Sequence, residues 1–445
     1  MSCGSPMPRA EQIANPTERD LRWSVFFIAS APPIHHLTEA GTMFKRMLVL
    51  GPAALLGAAC GTDGPHPTGV PVASTATATF SAVKFWEAGA TVSWNELATD
   101  LAVAAPAPGI NATRLYAYLA LAQFRAAEAA QAAPGPHPPI AAAIGGASVA
   151  VLSSFFPSAS TQLEAALDAQ QASDPWPGAK HADFAAGEAI GRAVGARVLT
   201  FAQGDLVGLT NPLDPPVGPP PVGPGSWIYT PPPLIARGNL GARPFFLTSQ
   251  DQLRPPPPPA FGSPAFNAAL AEVRQISDTR TQEQIDIANY WNVNQSPRSQ
   301  TAFMGIAREL IVSHHRSDAE AARIMFLMSA AAFDALIGCF DAKYHYWFIR
   351  PPQADAGIHT VFPTPQHPSY PSAHSCFSGA YSGVLAAAFP SERARVAAVA
   401  QEASLSRLYA GIHYRFDFET GLELGGRAAA LALAADLDQV APGTK

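Results

Sequence analysis

Between residues 211 and 260 the chain carries the runs PPVGPPPVGPG and LRPPPPPAFG. Prolines at this density lack the backbone N–H that helix interiors and central strands need, so the segment must be irregular. On both sides the sequence changes character: alanine-rich, poor in strand-like alternation, with apolar residues three and four apart. The spacing predicts helices over 115–130 and roughly 179–203, and from near Ser263 almost to the C-terminus. The uncharged stretch Pro139–Phe156 has the composition of a membrane span, but its glycines, its alanines and the proline after it predict a buried helix instead. A hydrophobic content of 48% against 14% charged residues is ample for a large core. The expected architecture is all-α: one compact unit of two helical layers joined by the proline-rich excursion. Trp227, Tyr229, Phe245 and Phe246 within that excursion predict a packed loop rather than a free tether.

The N-terminal eighty residues read differently. From Met43 the sequence runs MFKRMLVLGPAALLGAACGTDG, two basic residues and then a short apolar run ending at Cys60. That is the layout of a signal peptide, and the Ala58-Ala59-Cys60 ending resembles a bacterial lipoprotein signal, although Gly57 stands where Leu is usual. The expectation is an upstream leader over 1–42, a signal peptide over 43–60 with a possible lipid anchor at Cys60, and a linker over 61–80. A helical domain then fills 81–440, with its active-site half at about 301–436. This implies export to the periplasm or membrane surface, and not an integral multi-span membrane protein. The four cysteines show no metal or disulfide spacing. Net charge is −6, so no global basic field exists to attract nucleic acid, and any anion chemistry must be local.

Three blocks in the last quarter carry such chemistry. The first, Lys343-YHYWFI-Arg350-Pro351, spaces two cations seven apart, which predicts one helical face with Arg350 in the last turn before the proline. In the second, Pro371-Ser372-Ala373-His374, Pro371 suits a helix first turn, whose free N–H groups attract anions. The third is Ser406-Arg407-LYAGI-His413-YRF-Asp417. Its His413 and Asp417 stand i,i+4, so the carboxylate can fix the imidazole tautomer and free the other ring nitrogen as nucleophile or metal ligand. Each block alone is commonplace: a solvated Lys/Arg face, a helix cap, a satisfied polar pair. Three cations, a serine, two histidines and an aspartate together in apolar sequence predict a buried oxyanion cradle, because charges without partners are costly to bury.

The pattern K-x6-R-P, P-S-x-H, S-R-x5-H-x3-D resembles the signature of the superfamily joining type 2 phosphatidic acid phosphatases (PAP2), bacterial acid phosphatases and vanadium-dependent haloperoxidases. The segments SWIYTPPP, RPFFLTSQDQLRPPPPPAFGS and RTQEQIDIANYWN look like its soluble bacterial haloperoxidase branch, and the similarity runs from about Trp94 to near residue 436. The resemblance implies helical bundles of the PAP2/haloperoxidase type and possible homodimerisation. It also implies that Lys343, Arg350 and Arg407 neutralise oxyanion oxygens while Ser372 and the Ala373 N–H donate to them. His413 would bond to phosphorus or vanadium, Asp417 would orient it, and His374 would be the acid/base opposite. Ala373 departs from the glycine the family commonly has there, narrowing the approach to the anion. His367 falls where bromoperoxidases of the family carry histidine, and Trp347 and Phe348 are possible pocket residues, though aromatics on a helix are more often core.

The same cradle serves two reactions. With resident vanadate it oxidises halide with hydrogen peroxide. Without a cofactor it hydrolyses a phosphate ester through a phosphohistidine. The length of the chain, its N-terminal helical half and its proline-rich segment match the haloperoxidase branch better than the small acid phosphatases. A third reading, a surface lipoprotein with a vestigial site, would predict a missing cation or histidine, and none is missing.

Overall fold

The computed structural model describes residues 89–104, 109–134, 138–172, 181–205, 221–228, 242–292 and 298–444. The leader, signal-peptide and linker assignments, and Tyr229, lie outside them. Helices run over Ala90–Ala104 (α1), Gly109–Ala132 (α2), Ile140–Phe155 (α3), Ser160–Ala172 (α4) and His181–Gln203 (α5) in the N-terminal half. After the proline-rich excursion come Pro264–Thr279 (α6), Gln282–Tyr290 (α7), Arg298–Ser313 (α8), Asp318–Tyr346 (α9), the single turn Pro351–Ala354 (α10), Ala373–Ala388 (α11), Arg393–Tyr409 (α12) and Arg415–Ala434 (α13). Among the described residues there is no strand, only an isolated bridge between Ser226 and Phe348. The fold is all-α.

Two helix groups share one core. In the first, α2, α3 and α5 pack on one another; in the second, α9, α11, α12 and α13 do; α9 lies against α2 and joins them. Small residues set these approaches. A side chain at Gly191 would put its Cβ 1.9 Å from the Ala143 carbonyl oxygen across the α3–α5 crossing. One at Gly425 would fall 2.1 Å from the Cys376 oxygen across the α11–α13 crossing. The second close approach brings the start of α11 beside the start of α13, where the Ser372 N–H donates to the Asp417 carbonyl at 2.9 Å.

Helix α9 starts at a Ser317/Glu320 capping box. It is the one described helix long and apolar enough to cross a membrane, yet 94% of its apolar window is buried inside the protein. The Pro139–Phe156 helix is likewise buried on the α2 and α5 side.

Within the described parts of the proline-rich excursion Trp227 and Phe245 are buried and Phe246 is partly buried against the core, as its aromatic residues foretell, while Val222 and Ile228 face solvent. Asp334, in the middle of α9, accepts from the backbone N–H groups of Phe245 (2.8 Å), Phe246 (2.7 Å) and Leu247 (3.1 Å). Complete burial pushes this carboxyl up to about 7, against the pull of those three donors. Nearer the site, Trp227 N–H donates to the Trp347 oxygen (2.6 Å) and Ile349 N–H to the Gly225 oxygen (3.0 Å).

Candidate active site

The structure brings Lys343, Arg350, Ser372, His374, Arg407, His413 and Asp417 into one buried cluster; none is more than 9% exposed. The local geometry differs from the spacing-based expectation in three places. Lys343 and Arg350 do not share a helix: α9 stops at Tyr346, and Trp347 takes a left-handed conformation (φ 50°). Arg350 is extended because the following proline disfavours the α region, and it caps α10. His413 and Asp417 do not share a helix either. α13 begins at Arg415, His413 lies in the turn before it, and the i,i+4 contact crosses the helix start. Pro371 precedes α11 rather than opening it; Ser372 is the N-cap and Ala373 the first helical residue.

Each cation is held by carbonyls. Lys343 Nζ donates to Pro368 O (2.9 Å) and Ser369 O (2.8 Å). Arg350 donates from Nε to His367 O (3.0 Å) and from Nη1 to Ile412 O (2.8 Å). Arg407 donates from Nη2 to Ala288 O (3.1 Å) and from Nε to Ser406 Oγ (2.9 Å), and its guanidinium lies 5.3 Å from the Phe362 ring centre. Burial drives all three below their ordinary values, Lys343 to about 8, Arg407 to about 9 and Arg350 to about 10. Against three cations the cluster has a single carboxylate, Asp417, itself pushed up to about 6 by burial.

His413 has both ring nitrogens engaged. Nδ1–H donates to Asp417 Oδ2 at 2.7 Å, and Nε2 accepts from Arg350 Nη1 at 3.0 Å. The two contacts select the same tautomer and leave Nε2 as the lone-pair nitrogen on the cationic side. The same Asp417 Oδ2 accepts from Ser369 Oγ (2.6 Å) and Tyr414 N–H (3.2 Å), while Oδ1 has no partner. His374 Nε2 donates to Trp291 O at 2.8 Å. Burial among cations holds His374, His413 and His367 well below the usual imidazole value, so they are neutral near pH 7.

Ser372 Oγ is fully buried and has no hydrogen-bond partner. It stands at the N-terminus of the 16-residue α11, where first-turn N–H groups lack helical acceptors. An unmatched hydroxyl, a helix N-terminus and an excess of buried positive charge thus lie together, which is the chemistry that favours an anion.

His367 joins the cluster: its Nδ1 accepts from Arg350 Nη2 at 3.0 Å, and its ring meets Phe340 edge-on. Trp347 and Phe348 are both buried among other aromatics. Trp347 stacks on Trp227 with ring centres 6.3 Å apart, and Phe348 sits among Phe266, Tyr370, Tyr414 and Phe416. Cys339 and Cys376 are free and buried, and Cys339 Sγ donates to Pro371 O at 3.8 Å. Sequence reasoning missed Ser369, which supports both Asp417 and Lys343, and missed the carbonyls of Ala288 and Trp291. Ser369 lies two residues after His367 in the stretch QHPSYP, close enough to the second block for its hydroxyl to have been suspected; backbone acceptors leave no mark in a sequence.

A family model described as the PAP2 superfamily matches residues 322–440. Over these residues the chain is similar to the PAP2 superfamily. The matched stretch contains every residue of the cluster except the carbonyl acceptors of Ala288 and Trp291. Solved structures similar to about three quarters of the chain include vanadium-dependent peroxidases. One is a bacterial vanadium-dependent iodoperoxidase: TM-score 0.64, 25% identity, covering 78% of this chain and 96% of that one. A holo bacterial vanadium-dependent chloroperoxidase gives 0.59 at 14% identity, with 74% and 93% covered. Its apo form gives 0.58 at 14%, with 72% and 92% covered, and these two speak to the fold alone. No curated protein sequence matches the chain significantly. The PAP2 region thus sits within a longer helical body of the haloperoxidase type.

Proposed function

We propose that this chain is a vanadate-dependent haloperoxidase, oxidising halide with hydrogen peroxide. The observation that carries this reading is the extent of the likeness to the iodoperoxidase, which spans 96% of that chain and reaches well beyond the PAP2 segment. The closure of the cluster supports it, because a site at most 9% exposed at any of its seven residues favours small reactants over bulky esters.

The residues present fit an oxyanion cofactor. Lys343, Arg350 and Arg407 would neutralise its oxygens, Ser372 Oγ and the Ala373 N–H would donate to them, and His413 Nε2 would bond to its central atom. Vanadate held there supplies Lewis acidity toward peroxide. Asp417 keeps the proton on His413 Nδ1 and so keeps Nε2 available. His374, neutral, would take a proton at Nδ1 from an incoming peroxide and return it to departing oxygen. The apolar helices around the cluster exclude water, which strengthens each charge–anion contact. The methyl of Ala373 narrows the anion's approach without removing the amide donor.

The second reading, a PAP2-type phosphatase working through phosphorylated His413, rests on the 322–440 match. One experiment separates them: purify the chain, load orthovanadate, and compare peroxide-dependent oxidation of iodide and bromide with hydrolysis of a generic phosphate monoester. Halide oxidation that needs vanadate is the expected result. Robust ester hydrolysis inhibited by vanadate, without halide oxidation, would select the phosphatase instead. The His413→Ala variant should lose either activity.

A further inference from the structure

The carbonyl end of α7 reaches into the cluster at two points. Ala288 O accepts from Arg407 Nη2 at 3.1 Å, and Trp291 O accepts from His374 Nε2 at 2.8 Å. A carbonyl can only accept, so Nε2 of the neutral His374 ring carries the proton and Nδ1 carries the lone pair. The segment making these contacts is itself anchored. Trp291 is 1% exposed, its N–H donates to Ile287 O at 3.2 Å, and its ring packs against Tyr290 and Phe303. Its indole Nε1–H donates to Glu402 Oε1 at 3.0 Å, across 111 residues of sequence. Glu402 stands on α12, the helix whose last turn bears Arg407.

Packing alone does not call for that last bond. A phenyl ring would fill much the same apolar space; only an indole donates to a half-buried carboxylate. The bond ties the end of α7 to α12, so the same clamp serves His374 through the Trp291 carbonyl and Arg407 through the Ala288 carbonyl. We propose that Trp291, clamped by Glu402, is a positioning residue that fixes the tautomer and orientation of His374 and steadies the Arg407 fork. The inference rests on the reading of His374 as the proton-transfer group, and it adds residues outside the signature motifs to that machinery. It also assigns the transferable proton to Nδ1.

The test uses the full chain labelled with 15N-histidine, with the His374 signals identified by their loss in His374→Asn. In the wild type the His374 nitrogens should report a single Nε2–H tautomer. Trp291→Phe keeps the ring but removes the donor, and Glu402→Ala removes the acceptor. Both should show mixed tautomers and a turnover number lower by roughly tenfold, with KM within about twofold, since a misplaced acid/base group loses rate rather than ground-state binding. Glu402→Gln retains an acceptor oxygen and should restore both readouts. A single retained Nε2–H tautomer in Trp291→Phe and Glu402→Ala would overturn the proposal, whatever the rate. So would unchanged turnover with mixed tautomers. The tautomer measurement needs no turnover, so an inactive wild type would refute the haloperoxidase reading and leave this test intact.

Discussion

Replacing Lys343 with Met separates the fold's needs from the anion's. Met matches the length of the lysine stem, so packing is nearly conserved. The lysine's fall from 10.5 to about 8 under burial means that holding it charged costs the ligand-free fold about 3 kcal/mol. Its bonds to the Pro368 and Ser369 carbonyls return an amount of similar size, at about 1.5–3 kcal/mol for each bond to a charged group. The two nearly cancel, and the ligand-free variant should differ from wild type by no more than about 2 kcal/mol in denaturant melts. Anion binding should not be spared. Removing one charge from a desolvated pair costs about 2–5 kcal/mol, so the oxyanion Kd should rise at least about thirtyfold. At an orthovanadate concentration of about 100 times the wild-type Kd, the wild type gains about 2.7 kcal/mol of stability and Lys343→Met less than about 1. The sign with pH follows from the lowered lysine. Its penalty is present in full below pH 8 and is lost as pH rises from about 8 to 10.5, so the ligand-free wild type should gain stability relative to Lys343→Met over that window. Thermal melts with and without orthovanadate, beside titration calorimetry, read all of this. A variant that unfolds outright, or one that keeps the full anion-induced stabilisation, would refute the reasoning.

Ser372→Ala should leave the ligand-free melting curve unchanged, because its Oγ bonds to nothing, yet weaken oxyanion binding roughly five- to tenfold by calorimetry. Asp417→Asn should lower turnover by about a hundredfold or more through loss of the enforced His413 tautomer, with 15N shifts of His413 reporting the change; unaltered shifts would count against it. Asp334→Ala should cost about 3 kcal/mol or more in urea melts, since three backbone donors lose their acceptor together. A loss below about 1 kcal/mol would show that the proline-rich excursion is held by its aromatic contacts instead.

Helix identity and the membership of the cluster were legible in the sequence, because both depend on patterns of residue type. Apolar periodicity marks α2, α3 and α5 within a few residues. A cation without a partner in apolar sequence announces that something must neutralise it. The routes by which residues reach the site were not legible. Seven-residue spacing suggested a continuous helix from Lys343 to Arg350, but Trp347 breaks it with a left-handed turn that bonds to Trp227, over a hundred residues away. The i,i+4 spacing of His413 and Asp417 likewise spans a helix start, where Asp417 reaches back to the Tyr414 N–H. Local spacing was satisfied by a different backbone in each case. Ser369, Ala288 and Trp291 escaped notice because their roles come from tertiary contacts, two of them through carbonyls.

The bridge between Ser226 and Phe348 bears on how the PAP2 segment comes into being. Its match begins at residue 322, but the turn that aims Arg350 is completed by residues near 226, and α9 is latched at Asp334 to residues 245–247. A fragment starting near residue 300 would lack both supports and would expose the side of α9 that lies against α2. Such a fragment should not fold autonomously, and complementation by a separate 77–300 piece should restore anion binding. The long sequence separations of these contacts also raise the loop-closure cost of assembling the cradle, which slows folding.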